Sequence, residues 1–210
     1  MNHSTRTLVA CLSLATTLLT AGAHARAVPQ RSELALLVVL DVSGSMNEAV
    51  DGGVKRELAR RGLDRTLASL PGTAVAGLRL LGEGPRVDTD ECRASRSVIG
   101  LRPYDPRRWS NTLDDVRWDG ATPLTHSLRE AFADLEGVDA NRREILLISD
   151  GEDTCRTDPV AMARVEAGDI RVHTISLGKG VSHQLAGIAL VTGGRYASAY
   201  DELTFAAATD

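Results

Sequence analysis

Seven consecutive apolar residues, 34–40 (Leu-Ala-Leu-Leu-Val-Val-Leu), end abruptly in the polar stretch Asp41-Val42-Ser43-Gly44-Ser45. An apolar run without alternation marks a strand covered on both faces, the environment of a parallel sheet. Residues 145–148 and 172–177 repeat the pattern, 74–81 and 97–101 do so more weakly, and 195–198 supply a short last strand. Between these runs the period changes. Val54, Leu58, Leu63, Leu67 and Leu70 fall at helical spacing before Pro71, and Leu124, Leu128, Ala131, Phe132 and Leu135 share one helical face. Pro123 fits the first helical position with Thr122 as its N-cap. Asp158-Pro159 opens a third helix, Ser182 caps a fourth that ends at Gly193-Gly194, and residues 201–208 can form a last one. Strand and helix alternate, which predicts an α/β fold: a Rossmann-like, doubly wound, mostly parallel sheet with helices on both faces. Residues 82–116, rich in proline and charge, break the rhythm. They read as an excursion to an edge strand, then a loop and a weak helix.

The N-terminus reads as a signal for export. Arg6 precedes an apolar stretch at 8–19, and Ala23-His24-Ala25 supplies a small-x-small cleavage site, with Ala25-Arg26-Ala27 as a second. That is the layout of a secretory signal peptide, and the run is too short to span a bilayer permanently. The expected organisation is therefore a signal peptide at 1–25, a short lead-in at 26–32 and one domain at 33–210. The mature form is expected in the periplasm or outside the cell, without membrane insertion. A net charge of -4 and the absence of a Lys/Arg cluster argue against a nucleic-acid partner. Cleavage removes Cys11 and leaves Cys92 and Cys155. In an oxidising compartment a disulfide is favoured over free thiols, and two cysteines without a C-x-x-C spacing make a poor zinc site.

Three polar patches sit directly after apolar runs or at a helix start: Asp41-Val42-Ser43-Gly44-Ser45, Asp119-Gly120-Ala121-Thr122-Pro123-Leu124 and Ser149-Asp150-Gly151. Ligands of open α/β sheets bind beyond the carboxyl ends of the strands where strand order reverses. If the first strand and the 145–148 strand are neighbours there, the three patches meet on one rim. The donor set is then two carboxylates and three hydroxyls, from Asp41, Ser43, Ser45, Thr122 and Asp150. An all-oxygen set selects hard cations, Mg²⁺ first, with Mn²⁺ or Ca²⁺ as competitors. Gly44 lets the loop bend so that both serines face one ion. Each patch alone has a plainer reading as a turn or a helix cap. Their conjunction, in this order and at these element ends, is what points to a metal.

These motifs resemble the von Willebrand factor type A domain with an intact metal-ion-dependent adhesion site. The likeness runs from about Glu33 to the C-terminus, and the Ser-Asp-Gly-Glu-Asp-Thr-Cys stretch at 149–155 is similar to a bacterial secreted branch of that family. The resemblance implies that Ser43, Ser45 and Thr122 are hydroxyl ligands and that Asp41 and Asp150 bind directly or through water. It implies an antiparallel edge as the third strand of the main sheet, which suits the irregular 82–116 region. It also places Cys92 and Cys155 on the metal face, close enough to bridge. The expected function is exported, metal-dependent protein binding in which the cation grips an Asp or Glu side chain of a partner.

Two other classes compete. A structural domain of the same fold could scaffold an exported complex without using the metal. A metal-dependent hydrolase needs a base or nucleophile. Asp41-Val42-Ser43 follows a strand as the aspartyl nucleophile of haloacid-dehalogenase-like phosphatases does, but Ser43 stands where those enzymes have a second aspartate. No Gly-x-Ser-x-Gly elbow accompanies His126, His173 or His183. Gly178-Lys179-Gly180 lacks the spacing of a phosphate loop. A non-enzymatic binding module is therefore expected.

Overall fold

A computed structural model of the chain describes residues 31–51, 53–83 and 90–209. The expected leader at 1–25, with both cleavage sites, and most of the 26–32 lead-in lie outside these residues. The chain runs through β1 (Ser32–Asp41), a small hairpin of β2 (Ala49–Val50) and β3 (Gly53–Val54), α1 (Lys55–Ala68), β4 (Val75–Leu81), β5 (Ser95–Arg102), α2 (Pro106–Asp114), α3 (Leu124–Leu135), β6 (Ala140–Ser149), α4 (Pro159–Glu166), β7 (Arg171–Leu177), α5 (His183–Thr192), β8 (Tyr196–Ala199) and α6 (Glu202–Thr209).

Six strands form one sheet in the order β5-β4-β1-β6-β7-β8. Every pairing is parallel except β4 with β5, so the antiparallel strand lies at the edge as expected. The continuous apolar run of β1 has the cause inferred for it. Residues 34–41 are all buried, and successive side chains feed opposite cores. Leu36, Val38 and Leu40 pack with Leu58, Leu63, Leu67, Trp109 and Phe205 on one face. Ala35, Leu37 and Val39 pack with Leu124, Leu128, Met162, Leu185 and Ile188 on the other. Each fully buried leucine of this kind contributes about 1.5–3 kcal/mol.

Two expectations needed correction. The helix after the edge strand is better anchored than its sparse apolar pattern implied. Asp105 caps it by accepting from the backbone N–H groups of Arg107 and Arg108, and Pro106 occupies the first turn. Trp109 and Leu113 are buried, with Tyr104 edge-on to Trp109 at 5.9 Å. Two apolar residues one turn apart suffice when one of them is tryptophan.

The second correction bears on the site. Thr122 is not the N-cap of α3 and Pro123 is not its first helical residue. Pro123 itself holds the cap position with ψ of 69°, outside the helical range, and provides no side-chain cap. Leu124 N–H donates to the Thr122 carbonyl at 3.0 Å, closing a tight turn ahead of the helix. The capping carboxylate arrives from elsewhere, as Asp153 Oδ2 accepts from the Thr125 N–H at 3.3 Å. An anion at a helix N-terminus complements the unpaired N–H groups there. No local pattern could have revealed a cap delivered across 28 residues.

Candidate metal centre

Strand order reverses between β1 and β6: β1 continues to β4 on one side, while β6 begins the run to β7 and β8. The pair is in register from Ser32 with Ala140 to Leu40 with Ile148, so Asp41 and Ser149 emerge together at the carboxyl edge. This is the crevice where open α/β sheets hold ligands.

Asp41 ends β1 with no solvent exposure. Its Oδ1 accepts from the Ser43 N–H at 2.8 Å, and its Oδ2 accepts a short bond from the Ser149 hydroxyl. The chain then turns through a 3₁₀ segment, Gly44–Asn47. Gly44 does not use the positive φ that glycine permits, and a side chain there would meet nothing within 4 Å, so the bend does not depend on it as expected. The turn sets the Ser43 and Ser45 hydroxyls 3.2 Å apart, and Ser45 Oγ donates to Asp150 Oδ1 at 2.8 Å. Four of the five expected residues are thus linked by direct contacts: Asp41 to Ser43, Ser43 to Ser45, and Ser45 to Asp150.

Thr122 is brought alongside by its neighbours. Gly44 N–H donates to the Gly120 carbonyl at 3.3 Å, joining the two loops. Gly82 makes room for them: its φ is +77°, and a Cβ there would lie 2.1 Å from the Ala121 carbonyl oxygen and 3.3 Å from Ser43 Cβ. Thr122 is itself buried, and it is laced to the loop after β6 by two bonds. Its N–H donates to Thr154 Oγ1 at 2.8 Å, and the Thr154 N–H donates to its carbonyl at 3.2 Å. Next along that loop, Cys155 forms a disulfide with Cys92, with Cα atoms 5.6 Å apart. Asp153 steadies the same loop by accepting from the N–H groups of Cys155 and Thr157.

Ser149, Asp153 and Thr154 lie in stretches that the sequence singles out, but their supporting roles, like those of Gly82 and Lys55, are not legible there. Lys55 Nζ donates to Asp150 Oδ2 at 2.5 Å and to Glu48 Oε2 at 2.6 Å. The Asp150 side chain is only 2% exposed, so Lys55 meets it in a largely desolvated setting. Burial alone pulls the Lys55 pKa down, but the bonds to Asp150 and Glu48 outweigh this and leave it above its ordinary value.

The donor set fits a small hard cation. Metal–oxygen bonds of about 2.0–2.1 Å put adjacent donors of an octahedral shell about 3 Å apart. The serine hydroxyls are 3.2 Å apart and Ser45 is 2.8 Å from Asp150, separations set by the hydrogen bonds that join them and compatible with that edge. Electrostatics agrees, since burial raises the Asp41 pKa from 3.8 to about 6, and the bonds from Ser149 and Ser43 offset only part of the rise. A carboxylate so poorly solvated is stabilised by a nearby positive charge. Among the described residues, no three His, Cys, Asp or Glu side chains gather into a cage. The rim arrangement is of another kind, two carboxylates completed by hydroxyls.

Residues 34–198 match the sequence model of the von Willebrand factor type A domain. The chain belongs to that family. It is similar to the uncharacterized protein YwmC of Bacillus subtilis (strain 168), with 32% identity over 173 residues that cover 79% of this chain and 76% of YwmC. Among solved structures, a von Willebrand factor type A protein from Catenulispora acidiphila superposes with a TM-score of 0.69 at 19% identity, across 85% of this chain and 41% of that one. Proximal thread matrix protein 1 of the mussel byssus, with a zinc-occupied MIDAS motif, superposes with a TM-score of 0.64 at 14% identity, across 85% of this chain and 44% of that one. These likenesses confirm a type A fold, with its antiparallel edge strand β5. His173, considered above as a possible base, is engaged away from the serines: the Arg195 N–H donates to its Nδ1 at 3.2 Å, and its Nε2 lies 3.6 Å from Glu144.

Proposed function

We propose that this type A domain is an exported interaction module whose rim, formed by Asp41, Ser43, Ser45, Thr122 and Asp150, holds one divalent cation and through it a carboxylate of a protein partner. The observation that carries the reading is the convergence of Asp41, Ser43, Ser45 and Asp150, joined by short contacts at the β1–β6 reversal with the Thr122 turn stapled beside them. Mg²⁺ is the first candidate, with Mn²⁺ or Ca²⁺ able to replace it, since all five residues offer oxygen. The zinc-occupied MIDAS motif of the mussel protein, which shares this fold, supports metal binding by a domain of this type. When bound, the cation supplies an electrophilic position that a partner's Asp or Glu can occupy. The protein's part is to hold the oxygens in place, shield Asp41 from water and limit the motion of two rim loops with the Cys92–Cys155 bridge. The proposed route to the exterior is the leader at 1–25.

The test is capture from the exported fraction on immobilised mature protein. A partner bound in Mg²⁺, eluted by EDTA and absent with Asp41→Ala supports the reading. A partner retained equally in EDTA contradicts it and favours a scaffold that does not use the metal.

A further inference from the structure

The chain contains only two lysines, Lys55 and Lys179, among 24 basic residues, and both line the polar cleft beside Asp150. Lys55 is the unusual one. It is the first residue of α1, where a positive charge opposes the helix dipole. Its side chain is only 11% exposed, which costs an ammonium much of its hydration. A basic residue on an ordinary solvated face would not be placed this way. What compensates Lys55 is the carboxylate pair: Asp150 Oδ2 at 2.5 Å, nearly buried, and Glu48 Oε2 at 2.6 Å, exposed. The backbone reinforces this arrangement, because the Lys55 N–H also donates to the Glu48 carbonyl at 3.1 Å. The β2–β3 hairpin is thereby folded back so that α1 starts against the rim.

Asp150 is consequently divided. Oδ1 takes the Ser45 hydroxyl and Oδ2 takes the ammonium. We propose that Lys55 is a tethered counter-cation that shares Asp150 with the divalent ion and lowers the site's affinity for that ion. This rests on the metal-centre reading above and adds what sets its strength. Asp41 and Asp150 balance a divalent cation, and Glu48 balances Lys55. What Lys55 changes is therefore how much of Asp150 the cation receives, and the net charge of the loaded site stays near zero. Glu48 gives the ammonium a second, solvated partner 2.6 Å away, which Lys55 would keep if a bound cation drew Asp150 toward itself. Lys55 is a positioning residue here and no ligand itself.

A purely structural Lys55 and a competing Lys55 predict opposite results. The experiment is calorimetric titration of purified mature protein with Mn²⁺, comparing wild type, Lys55→Met and Glu48→Gln. Competition predicts at least about tenfold tighter Mn²⁺ binding in Lys55→Met, because like-charge repulsion at a shared carboxylate is removed. It predicts weaker binding in Glu48→Gln, which confines the ammonium to Asp150. Unchanged or weaker Mn²⁺ affinity in Lys55→Met overturns the inference while leaving the metal site standing. Should Lys55→Met not fold, the exposed Glu48→Gln substitution decides: unchanged or tighter affinity there overturns it too. No Mn²⁺ binding by wild type overturns both this inference and the metal-centre reading.

Discussion

Replacing Asp41 by asparagine separates the two things this side chain does. In protein stripped of divalent ions, Asp41 carries a carboxyl whose pKa burial has lifted from 3.8 to about 6. That rise of about two pKa units means that keeping the group charged above pH 6 costs the fold on the order of 3 kcal/mol, at about 1.36 kcal/mol per pKa unit. Asparagine is close in shape and still accepts from the Ser43 N–H, but it exchanges the charge-assisted bond from Ser149 for a neutral one, at a cost of about 1 kcal/mol. The net expectation in EDTA at pH 7.5 is a gain of about 2 kcal/mol, or roughly 4–8 °C in Tm for a domain of this size. The sign follows from linkage. A carboxyl with a raised folded pKa contributes stability that is present below its unfolded value and lost as pH rises through about 6. The asparagine advantage should therefore open between about pH 4 and 6 and stay level above. Excess Mg²⁺ should reverse the order, because wild type gains about 2.7 kcal/mol at a cation concentration of 100 Kd while Asp41→Asn loses a charged ligand. Differential scanning fluorimetry across pH, with EDTA or Mg²⁺, reads all of this. An Asp41→Asn protein less stable than wild type in EDTA would show that burial does not strain this carboxylate, and one equally responsive to Mg²⁺ would show that it is no metal ligand.

Other outcomes follow from neighbouring parts. Opening the Cys92–Cys155 bridge, which links residues 63 apart, should cost about 4 kcal/mol by loop entropy, measured as the difference in urea unfolding between oxidised protein and Cys92→Ser/Cys155→Ser. Thr122→Ala should cost about 1 kcal/mol in EDTA, the loss of a buried methyl, and should further reduce the Mg²⁺-induced rise in Tm. Gly82→Ala should destabilise by about 1–3 kcal/mol and weaken Mn²⁺ binding, since its side chain would strike the Ala121 carbonyl and push the Thr122 turn outward. Trp109→Ala should cost about 3–5 kcal/mol in chemical denaturation, the usual range for a fully buried tryptophan, without changing metal affinity.

What the sequence disclosed was governed by periodicity and order along the chain. The run 34–40 is apolar throughout because β1 has a layer of helices on either face, and that cause needs no knowledge of partners. The rim aspartates and hydroxyls were legible because each stands at the end of an element that hydrophobic pattern had already located. The supports were not legible. Lys55 carries no sign in the sequence that it meets Asp150, 95 residues later, and Asp153 gives none that it caps α3. Thr122-Pro123 has the pattern of a helix start, yet the helix begins at Leu124 once the Asp153 carboxylate and the Thr154 bonds are in place. Long-range polar pairing of this sort is set by the assembled sheet and has no local period.

Whether one divalent cation sits among Asp41, Ser43, Ser45, Thr122 and Asp150 can be read from an anomalous difference map of crystals of the protein soaked in Mn²⁺. A single strong peak is expected at the carboxyl edge between β1 and β6, at bonding distance of about 2–2.3 Å from the Ser43 and Ser45 hydroxyls. A fully soaked crystal with no peak there, or with its only strong peak elsewhere on the surface, would rule the cation out of this rim.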